Sequence, residues 1–175
     1  MGIQATLFVK RFSKVHVRFA VALIFIFGTF TSTQSSQGRQ FPNSGESVPM
    51  EVQIEGKPED NFRYLAAQCW LPESESVRAI LCIVLHPDGS NGRILAQSRE
   101  WRELAHANKA ALLGISIVPS SDATKLWFDA SAGSGEALIS AVTQIARISE
   151  RPELVKAPLL VAGVCAAGQF AYEFA

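Results

Sequence analysis

At 175 residues the chain has room for one domain, or slightly more, at roughly 100–200 residues per domain. Its composition, 48% hydrophobic and 18% charged with 12 Gly and 8 Pro, excludes a disordered chain and a collagen-like repeat. Sixteen basic residues balance 16 acidic ones, and a net charge of zero removes any general electrostatic case for nucleic-acid binding.

The balance is uneven along the chain. All acidic residues lie at or after Glu46, whereas Lys10, Arg11, Lys14, Arg18 and Arg39 stand in an acid-free leader. From Gly45 onward, 11 basic residues face 16 acidic ones, a net of −5. Behind the first four charges, Phe19 to Phe30 is an apolar stretch of 12 residues. That is shorter than the roughly 20 a membrane-spanning helix needs. A positive region, a short apolar run and Thr31-Ser32-Thr33 describe a secretory signal peptide over 1–33. An uncleaved signal anchor is the alternative, since Val15 and Val17 extend the apolar segment. The expected location is secreted or periplasmic, or else membrane-anchored through this segment alone. Residues 34–49, rich in Ser, Gln, Gly, Asn and Pro, bury too little apolar surface to offset ordering and read as a flexible linker.

The folded part is expected at 50–175. Glu51–Glu55 alternates polar and apolar residues like a half-buried strand, and Tyr64–Leu71 is a second strand, ended by Pro72. Ala79–Leu85 is a continuous apolar run, as in a strand buried on both faces, and Ala110–Val118 and Pro158–Gly163 resemble it. Between them, Ile94–Asn108 carries Trp101, Leu104, Ala105 and Asn108 at helical spacing. Gly135–Ile148 carries the stripe Leu138, Ala141, Val142, Ile145 and Ile148, with Ser134 as its expected N-cap. A last helix is expected from Gln169. Two antiparallel strands followed by βαβαβ predict an α/β fold with a mostly parallel sheet of about five strands and flanking helices.

Chemistry concentrates at Gly163-Val164-Cys165-Ala166-Ala167-Gly168, where a buried strand runs through small residues into a helix. A nucleophile elbow needs small neighbours because the turn is tight, and it presents its nucleophile above the sheet at a helix N-terminus. A cysteine there sits at the positive end of the helix dipole, which favours the thiolate. The segment resembles the G-x-S-x-G-G elbow of the α/β-hydrolase family: esterases, lipases, dienelactone hydrolases and related peptidases. Cysteine replaces serine, as in dienelactone hydrolases, and Ala167 replaces the second glycine. The loop His86-Pro87-Asp88-Gly89-Ser90-Asn91-Gly92 is similar to that family's H-G-x-G oxyanion loop.

The resemblance covers 50–175 and implies the N-terminal half of that fold, with ester or peptide hydrolysis as the activity. It implies Cys165 as the nucleophile and the backbone N–H groups of Asp88 and Ala166 as oxyanion donors. It also implies an acid and a histidine after the nucleophile. Ten residues follow Cys165, among them Glu173 but no histidine, so the chain as given is expected to be inactive. No cofactor or metal is implied, and the partner would be a small ester or peptide.

Two other readings stand beside it. The chain can be a non-catalytic remnant or binding module that self-associates through an open sheet edge beyond its fifth strand. A dinucleotide loop at Gly163-x4-Gly168 is disfavoured, because it lacks the central glycine and the later acidic residue. His86 reads as a structural hydrogen-bonder and His106 as a helix-surface residue. Cys69 and Cys82 fall on strands read as neighbours, either paired or as buried free thiols.

Overall fold

A computed structural model describes residues 6–10, 49–73, 76–85 and 91–175. The apolar run Phe19–Phe30, the linker over 34–48 and the His86–Ser90 loop lie outside the described residues. Among the described residues, no helix is long and apolar enough to cross a membrane.

The fold is α/β. The five expected strands form as β2 (Met50–Glu55), β3 (Phe62–Trp70), β4 (Ala79–Val84), β5 (Ala110–Pro119) and β6 (Leu159–Gly163). A sixth, β1 (Thr6–Lys10), comes from the region read as the leader's positive segment. Its Thr-Leu-Phe-Val run has strand propensity, and β6 offers it an otherwise unpaired backbone edge. The sheet order is β1-β6-β4-β5-β3-β2.

The sheet is mixed, which corrects the expectation of a mostly parallel one. Only β4–β5 and β4–β6 are parallel, while β2–β3, β3–β5 and β1–β6 are antiparallel. Parallel pairing needs a long crossover, usually helical, between strands, and within β2–β6 only the segments after β4 and β5 are long enough to supply one.

Those crossovers run in opposite directions across the sheet. The chain leaves β4 through a 3-10 turn (Gly92–Gln97) and α1 (Arg99–Ala107) to reach β5 on one side of β4. It leaves β5 through α2 (Ser134–Ile148) and returns past β4 to β6. Crossovers keep a right hand, so reversing direction moves the connecting helix to the opposite face.

The strands show the consequence residue by residue. Ile80, Cys82 and Val84 of β4 and Leu113, Ile115 and Ile117 of β5 join the core beneath α2 and α3 (Ala166–Phe174). Ile83 and Leu112 face the other way, with Ala96 and Ala105, and Trp101 packs against them. The 3-10 turn lies directly on β5: a Cβ on Gly114 would stand 2.1 Å from the Gly92 carbonyl oxygen. Only backbone fits between them.

Three local expectations change. The first helix begins at Arg99, with 92–97 in the tighter 3-10 form, and Leu104 is 48% exposed although its stripe partner Ala105 is buried. Ile148, last of the α2 stripe, is exposed because the helix ends on it. Ser134 is the first helical residue instead of the cap, and its N–H donates to Oδ1 of Asn61, 3.1 Å away.

Candidate active site

The C-terminal ends of β4 and β6 lie side by side. After β4 the chain turns to the α1 face, and after β6 to the α2/α3 face. Adjacent strands whose connections diverge in this way leave a crevice beyond their carboxyl ends, where open α/β sheets bind ligands. Cys165 lies beyond the carboxyl end of β6, two residues past it and immediately before α3.

Cys165 has φ 57° and ψ −126°. These dihedrals are close to those of the first central residue of a type II′ turn, about +60° and −120°, a position dominated by glycine. The turn closes through the Ala167 N–H donating to the Val164 carbonyl at 3.2 Å, and the Gln169 N–H donates to the Cys165 carbonyl at 3.1 Å. An L-residue in such a region costs about 1–3 kcal/mol, and such strain collects at functional sites. The side chain it carries is exposed.

Its neighbours explain how the turn is possible. A Cβ on Gly163 would meet the Ala167 carbonyl oxygen at 2.3 Å and the Ala167 Cβ at 2.9 Å. The missing Cβ of Gly163 makes the space that the Ala167 methyl, fully buried, takes up. The extra methyl at the second motif position is therefore accommodated. Ala166 is the first residue of α3, so its N–H is among those without an intrahelical acceptor, and a helix N-terminus favours an anion there.

The structure thus brings Cys165 and the Ala166 N–H together. Asp88, the other expected oxyanion donor, lies outside the described residues, as does His86. His106 is exposed in the last turn of α1, beside the N-terminal end of β5. Ala110 is level with Ala79 at the start of β4, so His106 and Cys165 sit at opposite ends of the parallel strands. About seven residues of strand rise, ~23 Å, separate those levels.

Two further residues brace the elbow. Trp127, 6% exposed in the loop after β5, stacks on Phe170 of α3 with ring centroids 6.4 Å apart and planes at 24°. Asn61, 1% exposed, holds that loop: its Nδ2 donates to the carbonyls of Leu126 and Asp129, each at 2.7 Å, bracketing Trp127. Its Oδ1 meanwhile caps α2. Nothing local in the sequence marks the stacking of Trp127 on the elbow helix. Asn61 is more than 60 residues from its partners and leaves no local signal.

The other cysteines take no part. Cys69 and Cys82 are each level with Leu113, which lies on β5 between them, so their strands are not neighbours. Two interstrand spacings put their Cα atoms ~10 Å apart, beyond the ~7 Å a disulfide spans. Both are free and fully desolvated, and burial pushes the Cys69 thiol up to about 12 and the Cys82 thiol further still. Among the described residues no group of three or more His, Cys, Asp or Glu side chains is placed to hold a metal ion. No protein-family model matches the chain, and comparisons with curated proteins and with solved structures likewise found no match.

Proposed function

We propose that the chain carries the nucleophile half of an exported acyl hydrolase of the α/β-hydrolase type, acting on an ester or peptide through Cys165. One observation carries the reading: an exposed cysteine held at φ 57° on a tight turn between β6 and α3, where the connections of β4 and β6 diverge. A purely structural cysteine gains nothing from that conformation, whereas a nucleophile gains presentation above the sheet beside unpaired N–H groups.

In the proposed step the Cys165 thiolate attacks the acyl carbon, forming a C–S bond and a tetrahedral oxyanion. The Ala166 N–H, joined by that of Asp88, stabilises the oxyanion. Its collapse breaks the bond to the leaving group and leaves a thioester for water to cleave. Proton transfer to the leaving group and activation of the water fall to an acid–histidine pair. His106 is too distant for that part.

The test is acylation of the full chain by p-nitrophenyl acetate. The expected result is release of one equivalent of p-nitrophenolate per chain, with the acetyl group mapped to Cys165 by mass spectrometry and slow turnover. An equal release from Cys165→Ala, or acetylation spread over other side chains, would refute the proposal.

A further inference from the structure

We infer that β1 is a detachable cap on the edge of β6, and that removing it turns this edge into a pairing surface for a second copy of the chain. The two outer strands of the sheet are unlike. On β2, Glu51, Gln53 and Glu55 alternate with apolar residues, which is how a true edge strand deters further pairing. β6 reads Leu-Leu-Val-Ala-Gly and has no charge, no proline and no bulge. It is composed as an internal strand and needs a neighbour on each side.

In the full chain that neighbour is β1, antiparallel from Thr6 opposite Gly163 to Lys10 opposite Leu159. Beyond β6, the main element it touches is α3. It is joined to the rest of the fold only through residues 11–49, while β2 lies at the opposite edge of the sheet. Five interstrand spacings, about 24 Å, separate these edges. Thirty-nine residues reach that far with a wide margin, at up to ~3.3 Å each. Detaching β1 therefore breaks one ladder and leaves the connections among the other five strands intact. The same residues fall in the segment read as a removable export leader, so the cap and the leader would be lost together.

The occupant follows from the geometry. The edge accepts an antiparallel strand, and a twofold axis normal to the sheet brings a second β6 alongside in that same sense. The interface is then isologous, it replaces the lost ladder, and no charge meets across it despite the acidic domain.

The experiment uses the full chain. Phe8→Pro/Val9→Pro places a proline at two successive β1 positions, so an inter-strand N–H is lost whichever phase the ladder has. By sedimentation the unmodified chain is expected at its 19.0 kDa monomer mass. The double variant is expected to shift toward twice that mass as concentration rises, with cooperative unfolding retained. Adding Leu160→Lys sets like charges near the twofold axis and is expected to restore the monomer. A folded variant that stays monomeric at every concentration would overturn the inference. So would a variant that loses cooperative unfolding, since β1 would then be integral to the core. An unmodified dimer that the prolines dissolve would mean that β1 is exchanged between copies, and association insensitive to Leu160→Lys would mean a different surface. Either result sinks the β6–β6 interface.

Discussion

Replacing Cys165 by glycine is expected to stabilise the protein while abolishing its nucleophile. In an ordinary strand or helix, glycine is about 0.5–1 kcal/mol less stable than alanine, because the unfolded chain has more freedom to lose. At φ 57° and ψ −126° the comparison reverses. The conformation costs an L-residue about 1–3 kcal/mol, which alanine still bears and glycine does not. The side chain is exposed, so truncating it sacrifices little buried area. Subtracting a mid-range glycine entropy from a mid-range strain leaves Cys165→Gly about 1 kcal/mol more stable than Cys165→Ala, within outer bounds of about 0–2.5 kcal/mol. With a urea slope of about 2 kcal/mol/M, the midpoint of Cys165→Gly should lie ~0.5 M higher. Equilibrium urea unfolding of the two variants, followed by far-UV circular dichroism, measures the difference directly. A Cys165→Gly midpoint equal to or below that of Cys165→Ala would show that the turn stores no strain. The inference from backbone geometry to nucleophile presentation would fall with it.

Asn61→Ala should destabilise by about 1–3 kcal/mol, because the buried Ser134 N–H loses its acceptor, while the Leu126 carbonyl keeps the Asp129 N–H. Urea midpoints give the magnitude, and loss of near-UV dichroism would report release of Trp127; a change under 1 kcal/mol would contradict the bracing role. At neutral pH, Ellman's reagent should titrate one thiol in the folded chain and all three after unfolding, and a second fast thiol in the folded state would contradict the burial of Cys69 and Cys82. Burial raises both of these thiols above their ordinary value of 9.0, so the stability they confer is complete below that value. It is lost as pH climbs toward about 12, where the folded Cys69 titrates. Thermal melts from pH 8 to 11 should show this decline, and Cys69→Ala/Cys82→Ala should flatten it.

Much of the architecture was legible before any coordinates, because it depends on near neighbours. The apolar runs at Ala79–Leu85, Ala110–Val118 and Pro158–Gly163, and the α2 stripe from Leu138 to Ile145, express periods of two and 3.6 that any short window contains. The strand–small residue–helix junction at Gly163–Gly168 likewise announces itself through local spacing. Failures came where local patterns stop. Helical spacing puts Leu104 on the stripe of Ala105, yet it is exposed, and the acceptor for the first α2 N–H is Asn61, 73 residues away from Ser134.

The sequence by itself located five of the six strands and the three helices, and showed that a cysteine follows the last strand before a helix. Tertiary structure decided that β5 lies between β3 and β4, which separates Cys69 from Cys82. It also placed the leader's Thr6–Lys10 along β6 and set the positive φ of Cys165. The division has one physical cause. Side-chain periodicity is a property of consecutive residues, whereas strand order, edge pairing and a tolerated backbone strain depend on contacts made only when the whole sheet assembles.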